Sequence, residues 1–229
     1  MKAYKKTHQL TSLFLSALIL CSCSTSTSRS DEENTKARTA KINAQLGIAY
    51  LEQNNISRAK KKLLMSLKQD PSIPEPWYSM AYFMETMGNT DDANHYYQKA
   101  IEVSHGRGDA ENNYGTFLCR AGKYKEAVGH FILATKDPEY LTPADAYENA
   151  GLCATRIADD THAAEYFSRA LTHDPERPVS WLALAELNFK SGKYQQAQID
   201  LKQFLSVSPP TERSMALNAK LAGKVRVMA

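Results

Sequence analysis

An alanine that recurs at Ala59, Ala93, Ala127, Ala163 and Ala197, in steps of 34, 34, 36 and 34 residues, restricts this 229-residue chain more than any other feature. Four residues after each alanine comes a large side chain: Leu63, Tyr97, Phe131, Phe167 and Leu201. Three further on stand Ser66, Ala100, Ala134, Ala170 and Phe204. Offsets of four and three place each set on one face of a helix. Another helix precedes it in every copy, with a small residue near its middle: Gly47, Ala81, Gly115, Gly151 and Ala185. Pro71, Pro175 and Pro209 close copies at points where a helix has to stop. Small residues let the two helices of one hairpin approach, and the large ones fill the space between hairpins. A single hairpin cannot bury both its faces, so the copies must stack.

The period of 34 with Trp77 and Trp181, Leu46-Gly47, Tyr114-Gly115 and the alanine-to-aromatic step resembles the tetratricopeptide repeat. That resemblance implies an all-α fold, a right-handed superhelix of helix-turn-helix hairpins whose first helices line a concave groove. Five full repeats run over residues 40–209, and Glu212 to Val225 reads as an amphipathic capping helix. The two extra residues between Ala127 and Ala163 fit the Asp137 to Pro143 segment, where Pro138 and Pro143 mark a lengthened loop. Positions two, five, nine, twelve and thirteen of each first helix are expected to face the groove. They make its first half apolar and aromatic, through Ile48, Leu51, Tyr78 and Tyr82. Asn112, Thr116, Arg120, Glu148 and Arg156 make the middle polar, and Leu182 and Phe189 follow. Tyrosines in a groove are typical anchors for a partner's peptide or helix. The alternative is that Ile48 and Leu51 are covered by the segment before them or by another copy of the chain.

The N-terminus predicts where such a scaffold works. Lys2, Lys5 and Lys6 precede the apolar run Leu10 to Leu20, which is too short to span a bilayer as a helix and reads as a secretory signal peptide. It ends in Leu20-Cys21-Ser22-Cys23. A lipoprotein signal needs a Leu three residues before the acylated Cys and a small residue immediately before it. Cys23 meets both conditions, whereas Cys21 would have the bulky Leu20 at the small position. Residues 1–22 are therefore expected to be the signal, with Cys23 lipidated, and Ser24 rather than Asp after it predicts sorting to the outer membrane. Residues 24–39 hold Ser, Thr and charge with Ala37 as the sole aliphatic side chain, so 23–39 is predicted to be a flexible tether with a reach of roughly 20–25 Å. Residues 40–229 form the repeat domain.

Removing three of the 28 basic residues with the signal leaves 25 against 25 acidic ones, so no nucleic-acid partner is expected. Cys119 and Cys153 remain in the array on the first helices of adjacent repeats. An oxidising periplasm permits a disulfide between them, and two small buried thiols are the alternative. The six histidines are scattered without metal-ligand spacing, so no metal or other cofactor is expected. Asp91-Asp92 and Asp159-Asp160 sit where a second helix begins, a place that favours acids for electrostatic reasons. Gly106-Arg107-Gly108 follows no strand and precedes no Gly-Lys-Ser/Thr, and no serine lies in a Gly-x-Ser-x-Gly turn. The chain is predicted not to be an enzyme and to take no small-molecule substrate.

The stretch Asn112-Asn113-Tyr114-Gly115-Thr116-Phe117-Leu118-Cys119, followed by Gly122-Lys123-Tyr124 and Glu126-Ala127, resembles the third repeat of the PilF/PilW lipoproteins of type IV pilus biogenesis. Leu46-Gly47-Ile48-Ala49-Tyr50-Leu51, Asp70-Pro71, Glu148-Asn149-Ala150-Gly151-Leu152-Cys153 and Glu212-Arg213-Ser214 agree with it, so the likeness covers essentially the whole chain. Cys21, two residues before the acylated position, departs from the usual pattern. The resemblance implies a pilotin, an outer-membrane lipoprotein facing the periplasm. Such proteins are needed for the pilus secretin, a ring-shaped outer-membrane channel, to reach the membrane and form stable multimers. A general periplasmic adaptor for cell-wall hydrolases or outer-membrane protein assembly is the alternative function.

Overall fold

The computed structural model describes residues 25–228, with side chains over 30–224. The predicted signal 1–22 and Cys23 lie outside the described residues. Eleven helices and no strand occur among the described residues. They are α1 (Thr25–Glu52), α2 (Ile56–Gln69), α3 (Pro74–Thr86), α4 (Thr90–Ser104), α5 (Gly108–Arg120) and α6 (Tyr124–Ala134). After these come α7 (Pro143–Arg156), α8 (Asp160–His173), α9 (Pro178–Lys190), α10 (Tyr194–Val207) and α11 (Glu212–Met228).

The chain divides into two units, Met1–Thr35 and Lys36–Ala229. In the first, residues 25–35 are helical, and the Thr35 hydroxyl donates to the Asp31 carbonyl at 2.7 Å. Where composition predicts a flexible tether, the backbone is therefore helical from Thr25. The reason is that a helix closes its own hydrogen bonds without burying anything, and Glu32, Glu33, Lys36, Ala37 and Arg38 are good helix formers.

The second unit is the repeat array. Within each hairpin the small residue of the first helix lies against the large residue of the second. A Cβ placed on Gly47 would meet the Leu63 side chain at 2.6 Å, one on Gly115 the Phe131 ring at 2.9 Å, and one on Gly151 the Phe167 ring at 2.8 Å. Each second helix also packs on the first helix of the next hairpin. Four apolar clusters follow in chain order, around Leu63 and Met80, around Phe117 and Phe131, around Phe167, and around Leu201 and Phe204.

The turns inside the hairpins share one device. Asn54, Gly88, Gly122, Ala158 and Gly192 all have positive φ, between 55° and 80°, at the same place in their repeats. Three of the five are glycine, which adopts this conformation without steric cost. At the end of the array α11 buries Leu217 and Leu221 against Leu182, Ala185, Leu201 and Phe204. Its start is fixed reciprocally: Thr211 N–H donates to Ser214 Oγ at 2.8 Å and Ser214 N–H to Thr211 Oγ1 at 3.2 Å, a capping box with Ser in the usual Glu position.

Candidate groove for a protein partner

Helices α1, α3 and α5 bring Ile48, Tyr78, Tyr82 and Arg120 together around a concavity of about 280 Å³. Ser79, Asn113, Thr116 and Tyr97 complete its lining. Tyr82 is 39% exposed, and Ile48 and Tyr78 are half-buried. Burial pushes the Tyr78 phenol well above its ordinary pKa, and the carboxylates of Glu75 and Asp109 add to this, so it stays protonated as a donor. A second concavity of about 420 Å³ shares Ile48, Tyr78 and Ser79 with the first and extends to Lys41, Glu52 and Glu75.

One wall of the first concavity is a clamp between adjacent repeats. Arg120 donates from Nε to Glu85 Oε1 at 2.6 Å and from Nη2 to Glu85 Oε2 at 2.7 Å. This bidentate geometry fixes orientation as well as distance. The Glu85 hydrogen bond raises the Arg120 pKa. The same guanidinium lies 6.0 Å from the Tyr82 ring centroid, and Tyr97 Oη donates to Glu85 Oε2 at 3.3 Å. Tyr97 is a buried hairpin residue whose hydroxyl end reaches the groove, a dual position that its place in the repeat does not reveal.

Further along, Asn149 Nδ2 donates to Asn112 Oδ1 at 3.1 Å across α5 and α7. Glu148, expected in the polar middle of the groove, is instead held by the following repeat: Ser180 Oγ donates to it at 2.6 Å and Arg177 Nη2 at 2.9 Å. Burial opposes charge on Arg177, but Glu148 and Asp145 outweigh it and hold the guanidinium pKa above its ordinary value. Arg156 is exposed, 6.0 Å from the Tyr124 ring centroid.

Two expected groove residues are corrected. Leu51 is only 7% exposed and belongs to the cluster of Ala59, Leu63, Met80 and Phe83 between the first two hairpins, so it is core. Leu182 is 6% exposed and belongs to the cluster of Leu201, Phe204, Leu217 and Leu221, so it is core as well. Cys119 and Cys153 are joined as a disulfide with Cα atoms 6.0 Å apart, within the span a disulfide needs. No cluster of three or more His, Cys, Asp or Glu able to hold a metal occurs among the described residues. No helix among them is long and apolar enough to cross a membrane.

Comparison with known proteins agrees with this architecture. The family model for the tetratricopeptide repeat matches residues 74–104 and 178–211. The type IV pilus assembly protein PilF of Pseudomonas aeruginosa is 30% identical over 214 residues, covering 92% of this chain and 84% of that one. An uncharacterized Haemophilus influenzae protein is 36% identical over 115 residues, half of this chain and 64% of its own length. The solved structure of Pseudomonas aeruginosa PilF superposes with a TM-score of 0.76 at 28% identity, over 84% of this chain and 86% of that one. The structure of PilW, a type IV pilus biogenesis factor, superposes with a TM-score of 0.69 at 26% identity, over 81% and 86%.

Proposed function

We infer, because this chain belongs to the PilF/PilW family of type IV pilus assembly proteins, that it is a non-enzymatic lipoprotein scaffold for the pilus secretin. Acylated at Cys23 and sorted by Ser24, it sits on the periplasmic face of the outer membrane and holds a segment of the secretin in its groove. Binding there favours secretin localisation and multimer formation, and hence pilus biogenesis. The observation that carries this reading is the concavity of Ile48, Tyr78 and Tyr82 beside the Glu85–Arg120 clamp. It joins an exposed aromatic anchor to a preset polar wall, and both come from neighbouring repeats whose relative position is fixed by packing. Such a site takes up a partner with little reorganisation.

Tyr82→Ala is the direct test, since the ring is exposed and its loss leaves the core intact. Truncating a central aromatic anchor costs about 2 kcal/mol or more of binding, roughly a thirtyfold loss. The variant is expected to melt like the wild type and to reach the membrane, yet to leave cells short of heat-resistant secretin multimers and surface pili. Normal multimers in Tyr82→Ala cells would refute the groove assignment. Capture of a cell-wall hydrolase with no secretin from solubilised envelopes would refute the partner. For the anchor, Cys23→Ser should abolish palmitate incorporation; label retained there but lost in Cys21→Ser would move the lipid to Cys21.

A further inference from the structure

Glu75 stands in the first turn of α3, where it lines the second concavity beside Tyr78 and Ser79. Its side chain is 18% exposed, and Oε1 meets Lys41 Nζ at 2.5 Å. Oε2 is buried and receives no hydrogen bond from the protein. A buried carboxylate oxygen without a donor is costly. Lys41 meets Oε1 alone, and its own side chain is 48% exposed on a flexible stem. The surroundings are acidic as well: Glu52 lines the same concavity, and Asp109 acts on the neighbouring Tyr78. Among the described residues that line this concavity or act on Tyr78, Glu52, Glu75 and Asp109 face Lys41 and Arg107, the latter 3.7 Å from Asp109.

Resting on the reading of the groove as the partner's site, we propose that the bound segment carries an arginine beside its apolar anchor and that this arginine displaces Lys41 from Glu75. A guanidinium offers two parallel N–H donors at the spacing of a carboxylate, so once Lys41 has left and the Glu75 carboxylate has turned toward the groove, one side chain satisfies both its oxygens. Ile48, Tyr78 and Ser79 are shared by the two concavities, which makes adjacent residues of one segment the natural occupants. Lys41 serves as an internal placeholder. It keeps Glu75 neutralised in the free protein and swings into solvent when the stronger donor arrives.

The test is selection of a randomised heptapeptide library on the purified full chain, followed by titration of the recovered peptides against wild type and variants. Peptides whose binding is lost in Tyr82→Ala should carry arginine next to an aromatic or aliphatic residue. Replacing that arginine by lysine or citrulline should weaken binding about tenfold or more on the wild type. The same replacement should change little on Glu75→Gln, a near-isosteric variant whose melting point reports its folding. Lys41→Ala should tighten the arginine peptide, because its competitor is gone. Tyr82-dependent peptides without arginine, or arginine and lysine peptides of equal affinity, would overturn the inference and leave the groove reading standing. Recovered peptides indifferent to both Tyr78→Ala and Tyr82→Ala would overturn the groove reading itself.

Discussion

Leu51→Ala separates the core from the groove more sharply than any other single change. Leu51 is 7% exposed and sits among Ala59, Leu63, Met80 and Phe83, where the first hairpin meets the second. Truncation to Ala removes three carbons. At about 0.8 kcal/mol each the transfer loss is roughly 2.4 kcal/mol, and the cavity left behind brings the total to about 2.5–4 kcal/mol. In a stacked array this loss is local, since each repeat touches mainly its neighbours and an end hairpin can open alone. Amide hydrogen exchange followed by mass spectrometry should therefore show α1 residues 40–52 and α2 exchanging roughly a hundredfold faster or more. Protection in α5 to α8 should hardly change. Tyr82→Ala, removing a side chain that is 39% exposed, should alter neither region and should weaken partner binding instead. If Leu51→Ala left exchange of the first hairpin unchanged and impaired only binding, the packing argument would be wrong and Leu51 would belong to the groove.

Three other outcomes test the array. Reducing the Cys119–Cys153 bridge, or replacing both with Ala, should destabilise the third and fourth repeats by about 4 kcal/mol in the chain-entropy account of a 34-residue loop; two alkylatable thiols in the non-reduced protein would contradict the bridge. Ala158 has φ of 55°, a left-handed conformation costing an L-residue about 1–2 kcal/mol, so Ala158→Gly should raise thermal stability by about 0.5–1 kcal/mol once the added chain entropy of Gly is deducted. Asp137 accepts the Gly108 N–H at 2.7 Å and the Glu139 N–H at 2.9 Å, and these bonds lower its pKa below the ordinary carboxylate value. A depressed folded pKa gives stability that is present above the unfolded value near 3.9 and lost as pH falls through the folded one, so the gap in melting temperature between wild type and Asp137→Ala should narrow below about pH 4, and an unchanged gap would refute the link.

Legibility in this chain follows the period. The alanine and aromatic positions are fixed by packing inside every hairpin, so the fold could be placed from spacing. Repeat position twelve was harder, because it lies at the border between the groove and the next hairpin, and the neighbour decides which way it turns. Leu51 turns to Met80 and Phe83, and Cys119 at the same position turns to Cys153. Leu182 belongs to the cluster that α9, α10 and α11 form together, and nothing in its own helix indicates this. The helix over residues 25–39 escaped an argument based on burial, since local hydrogen bonding needs none. Yet the polar pairs that shape the candidate site follow the repeat after all. Lys41 and Glu75 are 34 residues apart at the same repeat position, and Glu85 and Arg120 are 35 apart. In a stacked array, residues about one period apart become neighbours, just as residues four apart do on a helix. Complementary charges one period apart are thus the signal that could have found the clamp and the placeholder. Glu75 stands out among these pairs because its partner leaves one of its two oxygens unmet.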